Sequence, residues 1–404
     1  MILCCKSFQS LKLYIQLVLN SQKTYLVISP FFPSEKSFVG SYIFDQINEI
    51  RNQTDFTIEV IKVVSFFSTE KDYEYKGFKV KIFKVLDLPF FIFPGLFNSI
   101  NKKRFLQLLK SHYISEIDFT HAHVSYPSSY LIEDLKCKKI VQHHGLDVLQ
   151  LMNGRCNFIK NIQKRYLVKN TLRRINAIDL NVGVSQLVLD QLKEFHNYSP
   201  KDEYVLYNGV DTSKFFYKEV KKNEVFTIGC IANFWAIKDQ ITLIKSVQIL
   251  LSKGEKVLLR LIGTGPKLDE CYNYVKEHHL DDIIIFEREK EHSELNIFYN
   301  EIDLFVLPSY FEALGCVYLE SWATNTPFIG VERQGISELL PDNKKSIFLA
   351  KAQDPISLQI RISHVMRTNE TIVFDNNYNI ENLINNFLVH LICDKEKVQH
   401  LDKI

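Results

Sequence analysis

Residues 304–329 read LFVLPSYFEALGCVYLESWATNTPFI, and the reading of this stretch decides the fold. An unbroken apolar run of strand length ends in a turn at Pro308-Ser309, a loop follows, and helical spacing takes over from about Gly315 to Thr324. A strand apolar on both faces that passes into a helix is the repeating unit of a parallel sheet covered on both sides. The unit recurs outward. After a charged stretch, KEVKKNEVF (218–226), come TIGCIAN (227–233), KVLLRLIG (256–263), DIIIFE (282–287), DLFVLP (303–308) and PFIGVE (327–332). Earlier in the chain run TYLVIS (24–29), FTIEVIKVV (56–64), KIVQHH (139–144), AIDLNVGVS (177–185) and EYVLYNG (203–209). The expected fold class is α/β: two doubly wound Rossmann-like domains, residues 1–217 and 218–404, facing each other across a cleft. The last segment, about 379–404, reads as a helix that can cross back to the first domain.

The chain has 404 residues, which at roughly 100–200 per domain fits two domains, each large enough for its own core. With 46% hydrophobic residues, 24% charged residues and a formal net charge of +2, usage is that of an ordinary globular protein and argues against a dedicated nucleic-acid binder. Eight cysteines are scattered without Cys-x-x-Cys spacing or histidines at ligand intervals, which disfavours a zinc site and a disulfide framework and fits a reducing cytoplasm. The opening MILCCKSFQSLKLYIQLVLNSQ (1–22) is interrupted by polar residues too often for a transmembrane helix and reads as a short amphipathic leader.

Ligands of doubly wound sheets bind outside the carboxyl ends of the strands, so residues just after strands are the ones to inspect. Glu312 stands in the loop after its strand and Glu320 lies in the helix, placing them at different parts of one extended ligand. Between them the backbone N–H groups of Gly315 and Cys316 open the helix, a ready site for a diphosphate, and glycine allows close approach. The bland reading makes Glu312 a complement to the helix dipole and Glu320 a solvated helix residue.

The segment PSYFEALGCVYLESWATNTPFI resembles the Glu-x7-Glu signature of the retaining glycosyltransferases of family 4, of the GT-B fold. The resemblance spans about residues 24 to 350 and implies that Glu312 approaches the donor sugar while Glu320 hydrogen-bonds the nucleotide ribose. GCIANFWAIKDQITLIKSVQIL (229–250) is similar to the family's diphosphate-clamping segment, with Lys238 at the lysine position and Asn233 where most members have arginine. A neutral amide lacks the charged fork of guanidinium, so Asn233 weakens the expected clamp. RLIGTGPKL (260–268) resembles the family's Gly-x-Gly-Pro loop, which implies Gly263 in the nucleotide pocket, and Arg288 follows the next strand as a base contact. As a dinucleotide fingerprint the same loop is incomplete, because Leu268 stands at the third glycine position.

In the first half SPFFPSEKSFVGSYIFDQI (29–47), THAH (120–123), QHHGLD (142–147), VGVS (182–185) and LYNGVD (206–211) are similar, in order, to the family's looser markers. By that resemblance Gly40 lets the first loop approach the donor, His144 sits at a strand end facing the reacting sugar, and Asp147 orients His144 or the sugar. A histidine there can donate to a sugar hydroxyl or to developing charge, whereas His143 reads as structural. The expected catalytic set is His144, Glu312 and Lys238.

No Asp-x-Asp triplet occurs, and the resemblance implies a metal-independent reaction needing no cofactor beyond the nucleotide-diphosphate sugar donor. Retention of configuration is implied by the resemblance alone. The apolar run LPFFIFPGLF (88–97), the KKR at 102–104 and a basic amphipathic helix carrying Lys160, Lys164, Arg165, Lys169, Arg173 and Arg174 suit a peripheral contact at the inner membrane face and a glycan or lipid-linked acceptor. An ordinary solvated helix face explains the same residues. A nucleotide-sugar epimerase of similar fold and a catalytically silent sugar-nucleotide-binding module stay open as alternatives.

Overall fold

The computed structural model describes residues 19–87, 95–148 and 160–393. The chain falls into two compact units, one formed by residues up to Tyr207 together with the segment from Ile380 onward, the other by Asn208–Asn379.

The first unit is built on strands β1 (Thr24–Ser29), β2 (Thr57–Ser65), β3 (Tyr73–Tyr75), β4 (Phe78–Val85), β5 (Phe119–His123), β6 (Lys138–His143), β7 (Leu180–Gly183) and β8 (Glu203–Val205). They lie side by side in the order β3-β4-β2-β1-β5-β6-β7-β8. Every pairing is parallel except β3 with β4, an antiparallel ribbon closing one edge. β1 and β5 are buried along almost their whole length, as strands covered on both faces must be.

A chain leaving a strand must turn sharply to enter the covering helix. After β1 this turn is made at Gly40, whose φ of +90° is left-handed and whose Cβ, were there one, would lie 2.7 Å from the Phe31 carbonyl carbon. The helix Ser41–Gln53 starts there. The helix Ile380–Ile392 buries Ile380, Leu383, Ile384, Phe387, Leu388 and Leu391, spaced three and four apart, in this unit's core. It is tied down by Lys138 Nζ donating to the Leu391 carbonyl at 2.7 Å and by His390 Nε2 against Asp202 at 3.0 Å.

The second unit holds β9 (Phe226–Ile231), β10 (Val257–Ile262), β11 (Ile284–Glu287), β12 (Leu304–Val306), β13 (Phe328–Val331) and β14 (Leu349–Ala350). The order is β11-β10-β9-β12-β13-β14 and all pairs are parallel. The unit begins at Asn208, ten residues ahead of the boundary drawn at the charge run. The reason is backbone satisfaction: Val210 N–H reaches the Tyr378 carbonyl, and the N–H groups of Phe216 and Lys218 reach the side-chain oxygens of Asn296 and Asn300.

Candidate functional site

In the second unit two loops that follow neighbouring strands are joined. After β9 the chain makes a short helical turn, Ala236–Lys238, before the helix Gln240–Ser252. After β12 it runs through Pro308 and Ser309 to Gly315, where the helix Cys316–Ala323 begins. Tyr310 N–H donates to the Ile237 carbonyl at 3.1 Å, and the Lys238 ammonium is ion-paired to the Glu312 carboxylate. Both side chains are largely but not wholly buried, the setting in which an ion pair is screened least while still open to a ligand.

Glu312 is held by its backbone as well. Its N–H donates to Gln334 Oε1 at 2.7 Å, Gln334 Nε2 donates to the Tyr310 carbonyl at 3.0 Å, and Gly335 N–H donates to the Glu312 carbonyl at 3.2 Å. Gln334 therefore clamps the loop from below, a role no local pattern announces because its partners lie more than twenty residues away. Gly315 has a φ of +80°, and a Cβ there would meet the Tyr318 ring at 2.8 Å and Glu312 Cγ at 3.1 Å. The glycine thus keeps the helix start and the Glu312 side chain close together. Cys316 is the first helical residue, and its N–H points from a helix N-terminus.

Glu320 is not a solvated helix residue: it is 7% exposed. Tyr299 Oη donates to its Oε2 at 2.8 Å, and His292 Nε2 lies 3.5 Å from its Oε1. Burial first, and then the Glu320 charge, raise the Tyr299 phenol well above its ordinary range, so it remains a donor. Glu312 and Glu320 thus have separate partners at separate ends of the segment.

Gly263 follows β10, and a Cβ there would sit 2.2 Å from the Ala232 carbonyl oxygen. Its glycine is required because the β10 loop packs on the β9 loop, where Phe234 N–H donates to the Thr264 carbonyl at 2.8 Å. Asn233 is exposed on that β9 loop, whose backbone Gln240 Nε2 holds through the Ala232 and Asn233 carbonyls. Arg288 lies after β11 and makes no ion pair with a described residue; Arg260 and Lys290 instead take up the neighbouring Glu287. The structure therefore brings together Lys238, Glu312, Gly315 and Cys316, and it does not join Asn233 or Arg288 to them by any hydrogen bond or ion pair among the described residues.

In the first unit His144 follows β6. Its Nε2 lies 3.1 Å from Nδ1 of His123 on β5, with the two rings stacked at 5.3 Å between centroids. The Tyr42 ring, two residues past Gly40, packs against His144 at 5.1 Å. Burial pulls the His144 imidazole down to about 4, so the ring is neutral near pH 7. Asp147 does not orient that ring. Its Oδ1 accepts the His144 backbone N–H at 3.1 Å, while Oδ2 accepts Ser125 N–H at 3.0 Å and faces His143 Nδ1 at 3.1 Å. The correction follows from chain direction: a carboxylate three residues past a strand end folds back on the backbone it has just left. Burial works to raise the Asp147 carboxyl, but the hydrogen bonds from His143 and Ser125 outweigh it and hold the group at about 2. His143 is fully buried between Asp147 and Asn181 Oδ1, as a structural histidine should be.

The regions expected to meet an acceptor are partly committed elsewhere. Lys102 pairs with Glu133 and Asp134, and Arg174 is 7% exposed with its guanidinium 4.0 Å over the Tyr130 ring. Arg174 thus faces the core rather than solvent, contrary to expectation, because its stem fills space beside a buried tyrosine. Arg165, Lys169 and Arg173 remain exposed four residues apart on one helix face. Residues 88–94 and 149–159 lie outside the described residues, as do side chains 160–163. Among the described residues no three His, Cys, Asp or Glu side chains gather to hold a metal ion, and no helix is long and apolar enough to cross a membrane.

Comparison with known proteins agrees with this architecture. The family description "Glycosyl transferases group 1" matches residues 211–379, and "Glycosyltransferase Family 4" matches residues 39–214. O-antigen chain mannosyltransferase RfbU of Salmonella typhimurium is 25% identical over 57% of this chain and 65% of its own length. Alpha-monoglucosyldiacylglycerol synthase of Streptococcus pneumoniae is 24% identical over 69% of this chain and 66% of its own. In both cases the chain spans slightly less than two thirds of the relative. Among solved structures, sucrose-phosphate synthase of Thermosynechococcus elongatus superposes with a TM-score of 0.66 at 13% identity, over 93% of this chain and 96% of that one. Anabaena HepE, solved with UDP and glucose, gives 0.63 at 13% identity over 95% and 100%. The chain belongs to the group 1 glycosyltransferases and has their GT-B fold of two Rossmann-like domains.

Proposed function

We propose that this chain moves a hexose from a nucleotide-diphosphate sugar to a hydroxyl of a glycan or lipid-linked acceptor, with retention of configuration and without a metal ion, in the synthesis of a cell-surface polysaccharide. The observation that carries the reading is the pairing of Lys238 with Glu312 beside the helix start at Gly315 and Cys316. Lys238 and the first backbone N–H groups of the helix are suited to meet the negative charge that grows on a departing diphosphate. Glu312 next to them is suited to the donor sugar, and Glu320, held by Tyr299, to the ribose. The acceptor hydroxyl attacks on the face from which the diphosphate leaves, and no covalent intermediate is needed. We assign Gly40 and His144 to the donor sugar, with Asp147 holding the His144 backbone, and Asn233, Gly263 and Arg288 to the nucleotide. The names of the relatives, a mannosyltransferase and a glucosyldiacylglycerol synthase, support a hexose and a surface glycan or glycolipid.

The working compartment is the cytoplasm, with Arg165, Lys169 and Arg173 touching the anionic inner membrane face. The test is transfer itself. The full chain is incubated with UDP-, GDP- and ADP-hexoses and a membrane or glycan extract, and the anomeric configuration of the product is read by NMR. An α-linked product from an α-linked donor, formed equally in EDTA, is the expected result. Loss of transfer in EDTA with recovery in Mn²⁺ sinks the metal-free reading, and isomerised sugar formed without acceptor makes the chain an epimerase. Donor binding with no turnover of any kind leaves a silent binding module.

A further inference from the structure

Three histidines are stacked in the first unit. β5 alternates its side chains between the two faces of the sheet, so His121 and His123 fall on the same face, with rings 4.3 Å apart and 25° from parallel. Both are fully buried, and neither Nε2 has a hydrogen-bond partner among the described residues. His123 Nδ1 is used, at 3.1 Å from His144 Nε2. His144 is partly exposed, and its own Nδ1 bonds to no described residue. Burial disfavours charge on all three, lowering His144 to about 4, His121 to about 3, and His123 in the same direction.

A neutral imidazole has one N–H and one bare nitrogen, so the contact between His123 and His144 can be made in only two ways. If His144 donated, the His123 proton would sit on Nε2 as a buried N–H with no acceptor, the rarest kind of unsatisfied group in proteins. If His123 donates from Nδ1, its unpartnered Nε2 is only a bare lone pair, which is the better tolerated loss. His144 Nε2 then accepts, and the single proton of His144 is left on Nδ1.

We propose that His123 is a positioning residue: by donating from Nδ1 to His144 Nε2 it fixes His144 as the Nδ1–H tautomer, a neutral donor presented to a sugar hydroxyl or to an oxygen gaining charge. The use of that donor rests on the sugar-transfer reading, whereas the tautomer itself does not. The first test is a long-range proton–nitrogen correlation spectrum of the full chain labelled with ¹⁵N-histidine at neutral pH, assigned by His123→Asn and His144→Gln. The expected pattern is protonated Nδ1 and bare Nε2 on both residues; a proton on Nε2 of His144 overturns the proposal whatever the enzyme turns over.

The second test compares two variants once transfer is measurable. His123→Asn returns an N–H donor near the Nδ1 position, and His123→Phe keeps a flat ring in the stack without any donor. His123→Asn should stay within about threefold of the original kcat, while His123→Phe should lose on the order of 10- to 100-fold with the donor KM little changed, as for loss of a group acting through one oriented hydrogen bond. A folded His123→Phe protein with full kcat, or equal losses in both variants, refutes the assignment. Should His123→Phe not fold, His123→Asn and the spectrum decide. If no donor is turned over by the unmodified chain, the transfer reading fails, and the spectrum still decides which nitrogen of His144 carries the proton.

Discussion

Lys238 and Glu312 stand 74 positions apart in sequence and are joined side chain to side chain in the second unit. The ammonium is therefore already oriented before any donor arrives, and it is neutralised by the carboxylate proposed to lie nearest the sugar. An incoming diphosphate competes with Glu312 for it.

Removing either partner should then have opposite effects on binding. Glu312→Gln leaves Lys238 free for the diphosphate, so donor affinity should hold or rise while kcat falls about 100-fold or more, the usual scale for a group acting in the transition state. Lys238→Ala should weaken donor binding about tenfold or more, because one charge-assisted contact is lost. Calorimetric titration with UDP and GDP checks both; tighter binding in Lys238→Ala would contradict the competition.

Tyr299→Phe removes the hydroxyl that donates to Glu320 at 2.8 Å and leaves a buried carboxylate short of a partner. Stability should fall by about 1–3 kcal/mol. Urea unfolding of the second unit's transition measures it, and an unchanged midpoint would mean that Glu320 finds another donor.

Gly40→Ala places a methyl group 2.7 Å from the Phe31 carbonyl carbon at a φ of +90°, where an L side chain is strained in any case. Because the obstacle is backbone, relief requires moving the loop, and a loss of about 2 kcal/mol or more is expected. The packing of Tyr42 on His144 should loosen with it, so the ring signals of His144 are the second readout. A melting point equal to that of the parent would show the loop to be compliant.

Acid should destabilise the first unit well before its carboxylates titrate. His144 is lowered to about 4 and His121 to about 3 in the folded chain from an ordinary value of 6.5, and His123 is lowered too. Between those values the unfolded chain binds protons that the folded chain refuses, so stability falls as pH drops below about 6.5, by up to about 1.4 kcal/mol per pH unit for each ring. Asp147, depressed to about 2, is shifted in the same sense but acts in a lower window: its contribution is fully present above about 4 and is lost only below that. Urea midpoints at pH 7 and pH 5 should therefore differ, and His121→Phe should narrow the gap. Equal midpoints in the parent chain would contradict neutral burial of these rings.

If Arg165, Lys169 and Arg173 meet an anionic surface, reversing all three to glutamate should abolish flotation with phosphatidylglycerol vesicles and leave neutral vesicles unaffected. Each basic residue near such a surface is worth about 1 kcal/mol, so the triple change should shift partitioning by more than about a hundredfold. Equal flotation of both proteins removes the proposed membrane contact.

The strand and helix alternation was legible because a strand buried on both faces is a continuous apolar run, which sequence displays directly. β4 was not among the expected runs even though FKVKIFKV opens on plain alternation, because alternation marks a strand with one face half open to solvent rather than one covered on both faces. β5 was hidden in a different way: FTHAH is buried at every position but carries two histidines, whose burial depends on stacking that no hydropathy pattern contains.

By itself the sequence determined the two sheets and the places where the backbone must bend or approach closely, since periodicity and the freedom of Gly40 and Gly315 are local properties of the chain. It also brought the segment from Pro308 to Glu320 forward as the ligand end of its sheet. Only the tertiary structure decided that Glu312 is paired with Lys238, that Glu320 is held by Tyr299, that Asp147 serves His143 and the backbone, and that His123 reaches His144. Apart from Asp147 with His143, four residues apart, those partnerships join elements that are neighbours in space but distant in the chain, and the order of strands is set by how whole layers bury their apolar faces.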